Sequence, residues 1–408
     1  MPLFAFLYSL KSKSMRKNIL LFFIFSILLC GCFEKKTKQK DNENNAFIET
    51  ITIDEKQFKE NVDATFLLDT SFVEVILLET NPLCLIGEVT EIFYKNDKII
   101  IYDAKTLGIY LFNFDGTFYS KIHYIGGGPG EYPPRINNVF VTDSYIALLC
   151  TEIDKILFYD YEGKYLHSIP TKGATGSAFC TFDNNKFHIM NNWGFIGNNM
   201  FGYFCIDAKK GITNKQHPFT EEANKVNRGW GLYSYMSFRD ERALAIRSSI
   251  DTIYEISRNN EITPRYYVDL VHNKMPREIA EGSSDRAFDS GYSLGVRRVL
   301  ESDKYMFLCF KGFTAIYDKK ENKVVSLGNS LKIPDWGTSL EFAYSSNIQG
   351  DYLLIDNLDS HMYEFIDEII ETIANEAPES IFKTKRLDAF KRVKNEEDNT
   401  IIYIYKLK

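Results

Sequence analysis

Residues 97–122 (DKIIIYDAKTLGIYLFNFDGTFYSKI) and 143–169 (DSYIALLCTEIDKILFYDYEGKYLHSI) are two copies of one pattern. Their turn glycines, Gly116 and Gly163, lie 47 residues apart, and at that offset Leu111 matches Phe158, Phe112 matches Tyr159, Phe114 matches Tyr161 and Phe118 matches Tyr165. Each copy reads as two strands, an acidic-Gly turn and a third strand. A further short run precedes each (87–96 and 134–144), which makes four strands per unit. The same order recurs more faintly downstream. First strands are predicted at Ser177–Asp183, Tyr233–Arg239, Leu294–Glu301 and Leu340–Asn347, and third strands at Phe201–Asp207, Thr252–Ser257 and Thr314–Asp318. Six units of roughly 45–60 residues, four strands each, predict an all-β six-bladed β-propeller. A solenoid would need shorter, more uniform repeats, and a sandwich would need no period.

Composition agrees. The 408 residues are 45% hydrophobic and hold 32 Phe and 25 Tyr against 3 Trp. That content excludes disorder, collagen and coiled coil, and favours pleated, half-buried surfaces. The sixth unit lacks its outer strands locally. Phe72–Glu79 before the first unit and Thr400–Leu407 at the far end can supply them, closing the ring without open edges. Between them, His361–Ala374 puts Met362, Phe365, Ile366, Ile369, Ile370 and Ile373 on one helical face. Pro378 ends that run, Ser380 can cap a second helix, and the insertion (about 361–394) is expected to pack outside the last blade. A membrane-surface role for the helices is the alternative.

The amino terminus carries Lys11, Lys13, Arg16 and Lys17, then the apolar run Ile19–Leu29, then Cys30-Gly31-Cys32. A basic stretch, a short apolar core and small residues at a cut site are the parts of an export signal, here residues 1–31, with Met15 a second candidate start. The run is too short for a helix spanning a core of about 30 Å. Leu29–Cys32 resembles a lipobox, which implies lipidation of Cys32 and a bacterial membrane anchor on the periplasmic or cell-surface side. Residues 32–50 read as a solvated tether, and 51–408 as the propeller. The formal charge is −7, or −11 once the four basic groups of residues 1–31 are removed. Phosphate backbones would repel such a chain, so nucleic acid is not an expected partner. Cys84, Cys150, Cys180, Cys205 and Cys309 are scattered and odd in number, which argues against a disulfide framework and for small buried hydrophobes.

The blocks LIGEVTEIFYKNDKIIIYD, IYLFNFDGTFYSKI and GGGPGEYPPRINNVFV, with the terminal EEDNTIIYIYKLK, resemble the six-bladed β-propeller lipoproteins exported by Gram-negative gut-type bacteria, whose first blades look like NHL-repeat proteins. The resemblance implies the fold and export. It assigns no activity.

No local motif marks a catalytic centre. The glycine run Gly126–Gly130 leads into Pro133, Pro134 and another strand, so no helix N-terminus can receive an anion. It reads as a blade-to-blade crossover needing positive φ at several positions. His123, His167, His188, His217, His272 and His361 make no HxH or HExxH spacing, and no GxSxG turn occurs. No cofactor is predicted; calcium in the central channel, held by carbonyls and carboxylates, stays open. Propeller topology supplies the candidate site instead. The loops entering the six inner strands converge at one end of the channel, and they carry Arg135, Trp230, Tyr233, Tyr292, Arg297 and Trp336. Aromatic faces stack on sugars or peptide side chains, and Arg grips carboxylates; packing between blades is the alternative use of these rings. The expected function is an exported, lipid-anchored binding or scaffold module for a glycan, peptide or protein partner. The competing reading is a lyase or hydrolase acting on an exported polymer, which would need two titratable groups within reach on that face.

Overall fold

The two turn glycines explain how the units stack. Gly116 and Gly163 adopt φ of +86° and +83°, which side chains disfavour, and a Cβ at either would strike a carbonyl, that of Leu77 or that of Lys121. Leu77 and Lys121 lie in the outer strands of the preceding blades, so each turn docks against its neighbour at the same point of the repeat.

The computed structural model describes residues 48–191, 201–218, 234–239, 241–247, 250–276, 279, 289–333, 338–341, 347–356, 365–375, 381–394 and 398–408. The chain forms a six-bladed β-propeller. Three strands precede the first blade: β1 (Glu49–Ile53), β2 (Lys59–Asp63) and β3 (Leu68–Leu77). Blade 1 is β4 (Glu91–Lys95), β5 (Lys98–Asp103), β6 (Gly108–Asn113) and β7 (Phe118–Ile122). Blade 2 is β8 (Asn138–Val141), β9 (Ile146–Cys150), β10 (Lys155–Tyr159) and β11 (Tyr165–Pro170). Blade 3 is β12 (Ala178–Thr181), β13 (Lys186–Met190), β14 (Phe201–Asp207) and β15 (Gly211–Pro218). Blade 4 is β16 (Ser234–Arg239), β17 (Arg242–Arg247), β18 (Thr252–Ser257) and β19 (Ile262–Leu270). Blade 5 is β20 (Arg298–Glu301), β21 (Tyr305–Cys309), β22 (Thr314–Asp318) and β23 (Lys323–Ile333), with β24 (Thr338–Glu341) paired to β23. Blade 6 is β25 (Asn347–Gln349), β26 (Tyr352–Asp356), β27 (Ile401–Leu407) and β3.

The ring closes as the sequence predicts. β27 runs antiparallel to β26 on one side and to β3 on the other, so head and tail of the chain share blade 6. The three predicted third strands match β14, β18 and β22 residue for residue. One first strand moves. The run Leu340–Asn347 is not the inner strand of blade 6: residues 338–341 extend blade 5 as β24, and the inner strand is the three-residue β25. The N-terminal segment also does something that periodicity does not signal. β1 lies parallel along β19, and β2 lies parallel along β23, so the chain passes around the outside of blades 4 and 5 before entering blade 6.

The core consists of side chains packed between neighbouring blades, such as Ile92, Ile101 and Phe112 against Leu354 and Ile404 at the blade 6–blade 1 joint. At the blade 4–blade 5 joint, Glu301 is almost fully buried between Arg242 and Lys319, the latter at 2.8 Å. Helices α1 (Ile366–Asn375) and α2 (Ile381–Arg392) cover the outer face of blade 6. Phe382 sits 6.1 Å from the rings of both Tyr403 and Tyr405, and Lys385 pairs with Glu74 of β3 at 2.7 Å. No helix among the described residues is long and apolar enough to cross a membrane.

Candidate functional site at the channel mouth

Each blade is an antiparallel meander, so the six inner strands run in one direction and their first residues gather at the end where the entry loops arrive. An inner strand has a paired edge within its blade and a second edge facing the channel. Main-chain groups on that second edge need partners, and side chains of neighbouring inner strands provide them. Asn347 donates to the carbonyl of Ile92 at 2.8 Å, and Gln349 Oε1 accepts the N–H of Tyr94. Asn138 Oδ1 accepts the N–H of Phe179 at 3.2 Å, and Ser177 Oγ accepts that of Ser234 at 2.9 Å.

Charge enters through three residues. Arg298, first in β20, donates to the Tyr235 hydroxyl at 3.2 Å while its guanidinium lies 4.8 Å from the Tyr235 ring centre. Glu91, first in β4, comes from blade 1 and faces them across blade 6. Burial pushes its carboxyl up to about 7, and the charge of Arg298 opposes that only in part. Near neutral pH Glu91 is therefore divided between acid and carboxylate. Burial also raises the Tyr235 phenol, against the pull of Arg298. A strongly shifted carboxyl beside a guanidinium is the pattern that marks functional sites, but structural ion pairs produce it too.

Space decides between those readings. Further along the channel Phe238 meets Phe140 edge-on at 5.0 Å and Phe182 at 5.3 Å, while Phe140 meets Phe179 at 5.6 Å. Three blades thus contribute to an aromatic plug. The free space among the described residues lining this stretch is about 80 Å³, enough for two or three waters at roughly 30 Å³ each. Ligand sites run from about 300 to 1,000 Å³. The trio ties blades together, and among the described residues this stretch of channel is too narrow for a ligand of ordinary size. A carboxylate facing a guanidinium, with amide oxygens already accepting main-chain N–H groups, is also a weak donor set for calcium, which takes about six to eight oxygens.

Three of the six predicted site residues are described, and they stand in two different entry loops. Arg135 is exposed in the loop entering blade 2, and Tyr292, 40% exposed, is in the loop entering blade 5, half a turn of the ring away. Arg297 is half-buried and its N–H donates to the Cys309 carbonyl at 2.8 Å. Its neighbour Arg298 is the residue that reaches Tyr235. In an extended strand a one-residue step reverses the face, so the two arginines point to different surroundings. Trp230, Tyr233 and Trp336 lie outside the described residues. The signal for Glu91 and Arg298 was a charge opening an otherwise apolar inner strand (EIFYK and RVLE).

The glycine loop departs from expectation in its cause. Only Gly130 of that run has positive φ. At Gly126 the Glu131 carboxylate lies where a Cβ would stand, so a side chain there would displace that carboxylate from the Gly128 N–H it accepts at 2.7 Å. The described thiols follow the bland reading: all five are free and four are buried, and burial pushes Cys150 up to about 12. His188 is buried between Tyr203 at 2.7 Å and Asn260 at 3.0 Å. Burial lowers its pKa to about 4, and that of His217 likewise. Among the described residues no group of three His, Cys, Asp or Glu could hold a metal ion.

A search of curated proteins returns no match. Among solved structures, a Bacteroides fragilis protein described as exported is similar over 88% of this chain and 99% of its own, at 19% identity and a TM-score of 0.65. A member of the DUF4221 family from Bacteroides vulgatus is similar over 84% of this chain and 98% of its own, at 11% identity and a TM-score of 0.47. At these identities only the first comparison bears on the argument, and it bears on the fold alone. The model of the domain of unknown function DUF4934 matches residues 48–406, so the chain belongs to the DUF4934 family.

Proposed function

We propose that this protein is an exported binding or scaffold module, held to a bacterial membrane by lipid on Cys32 and engaging a glycan, peptide or protein through its surface. The narrow channel supports the reading: Glu91 has no second carboxylate or histidine beside it among the described lining residues, and the free space of about 80 Å³ among those residues is small for a polymer chain. The lyase or hydrolase alternative needs both. Export is supported by the signal-like amino terminus, by the protein of the same fold that is described as exported, and by the resemblance to exported six-bladed β-propeller lipoproteins. The entry-loop face is the surface proposed to meet the partner, with Arg135, Tyr292 and Arg297 and the sequence-placed Trp230, Tyr233 and Trp336. A glycan and peptide array tests this. Binding is expected and should fall when Trp230, Tyr292 and Trp336 are changed to Ala; turnover of an array ligand, abolished by Glu91→Gln, would instead establish the enzyme. Cys32→Ala should release the protein from membranes, and labelled fatty acid still incorporated into that variant would refute the anchor.

A further inference from the structure

The rim between blades 4 and 5 holds a vacant strand position. β23 carries β2 along its outer edge only from Gly328, opposite Lys59, to Lys332, opposite Asp63. Its first half, Lys323–Leu327, pairs on one side with β22, and no described strand pairs with the other. The chain path explains the gap. A longer β2 would have continued along Lys323–Leu327, but upstream of Lys59 the backbone turns through the 3₁₀ segment Glu55–Gln57 and runs to β1 on blade 4. β1 itself pairs only with β19. Two edges from adjacent blades therefore face a cleft of about 760 Å³, within the range of ligand sites and nearly ten times the free space of the channel.

We propose that this cleft takes up an extended, acidic segment of a partner protein as an added strand on Lys323–Leu327. An open edge presents main-chain donors and acceptors that a peptide strand satisfies, and five residues at about 3.3 Å each give roughly 16 Å of edge. The molecule already uses this mode twice, since β1 and β2 are themselves parallel additions to outer strands. Charge selects the occupant. Lys56, Lys59 and Lys323 are exposed around the cleft against one lining carboxylate, Asp54, which already accepts the Lys56 N–H and faces His272 at 3.1 Å; Lys323 also pairs at 3.3 Å with exposed Glu321 just outside the lining. The lining itself thus carries three ammonium groups against one carboxylate, on a chain of net charge −7. Phe58, 43% exposed, and half-buried Val325 give the alternate side chains of a strand an apolar surface. This site is separate from the entry-loop face, so either can fail alone.

The test is selection of eight-residue peptides from a random library on the full-length protein in detergent. Enriched peptides should alternate Asp or Glu with Val, Ile or Tyr. The triple variant Lys56→Glu, Lys59→Glu, Lys323→Glu should bind them at least about tenfold more weakly while melting like wild type, because all three side chains are exposed. Methylating alternate backbone amides of a selected peptide should abolish binding, and the unmodified peptide should slow amide exchange within 323–327. Failure to enrich such peptides, binding indifferent to the triple variant or to methylation, or protection confined to the entry loops would overturn the proposal. So would a dimer that the triple variant dissociates, which would make a second copy the occupant.

Discussion

Blade 6 and the rim of blades 4 and 5 both recruit terminal segments of the chain, and they use them differently. In blade 6, β27 lies inside the sheet with both edges paired, and Ile401–Tyr405 are at most 2% exposed. On the rim, β1 and β2 are added in parallel at the outside, each pairing on one edge, and β2 is mostly exposed. Position within a sheet, rather than being a terminus, decides the outcome. A terminal strand inserted in the middle closes the ring, whereas one laid on an edge stabilises modestly and leaves hydrogen-bonding valence for another strand.

The contrast is broken most severely by deleting Thr400–Lys408. That removes Ile401, Ile402, Tyr403, Ile404, Tyr405 and Leu407, all buried; at about 1.5–3 kcal/mol each the loss is roughly 9–18 kcal/mol, against a typical stability of about 5–15 kcal/mol. Circular dichroism should show no cooperative melting transition. Truncation before Glu55 removes Ile51 and Ile53, at 1% and 0% exposure, and should cost about 3–6 kcal/mol. The melting temperature should fall while the transition stays cooperative. If this truncation were as damaging as the first, the rim strands would be part of closure.

A smaller effect separates the channel from both regions. Glu91 titrates at about 7 in the fold against an ordinary 4.5, so between those values the folded chain holds a proton that the unfolded chain has lost. Stability should therefore decline as pH rises from 4.5 to 7 on account of this group, and Glu91→Gln should melt above wild type at pH 8 but alongside it near pH 4. His188 and His217 act with the opposite sign. Held neutral with pKa values near 4 against 6.5, His188 buried and His217 half-buried, they withdraw stability as pH falls through that window. Smallest of all, Lys323→Glu should change stability by no more than about 0.5 kcal/mol, as an exposed substitution.

The sequence makes the closed, buried regions legible and the open ones obscure. Blades 1 and 2 announce themselves because Gly116 and Gly163 must both fit against a neighbouring carbonyl, and because alternate buried residues must all be apolar. β27 (IIYIYKL) is evident for the same reason. β2 (KENVD) buries almost nothing, so no apolar pattern betrays it, and parallel edge pairing to a strand some 270 residues away leaves no local trace. β25 (NIQ) is hidden by its brevity, while residues 338–341 look like an inner strand and serve instead as a partner of long β23. At the channel mouth, Glu91, Tyr235 and Arg298 meet from three blades. Each is recognisable as a channel residue only once the inner-strand register is known.

Hydrogen exchange of the native protein tests the difference between sealed and open edges most directly. Amides of Tyr403–Tyr405 should exchange only through global unfolding, whereas about half of those in Lys323–Leu327, with no described strand on their outer side, should exchange orders of magnitude faster. Equal protection of the two segments, or rapid exchange throughout β27, would contradict a ring sealed in blade 6 and open at the rim.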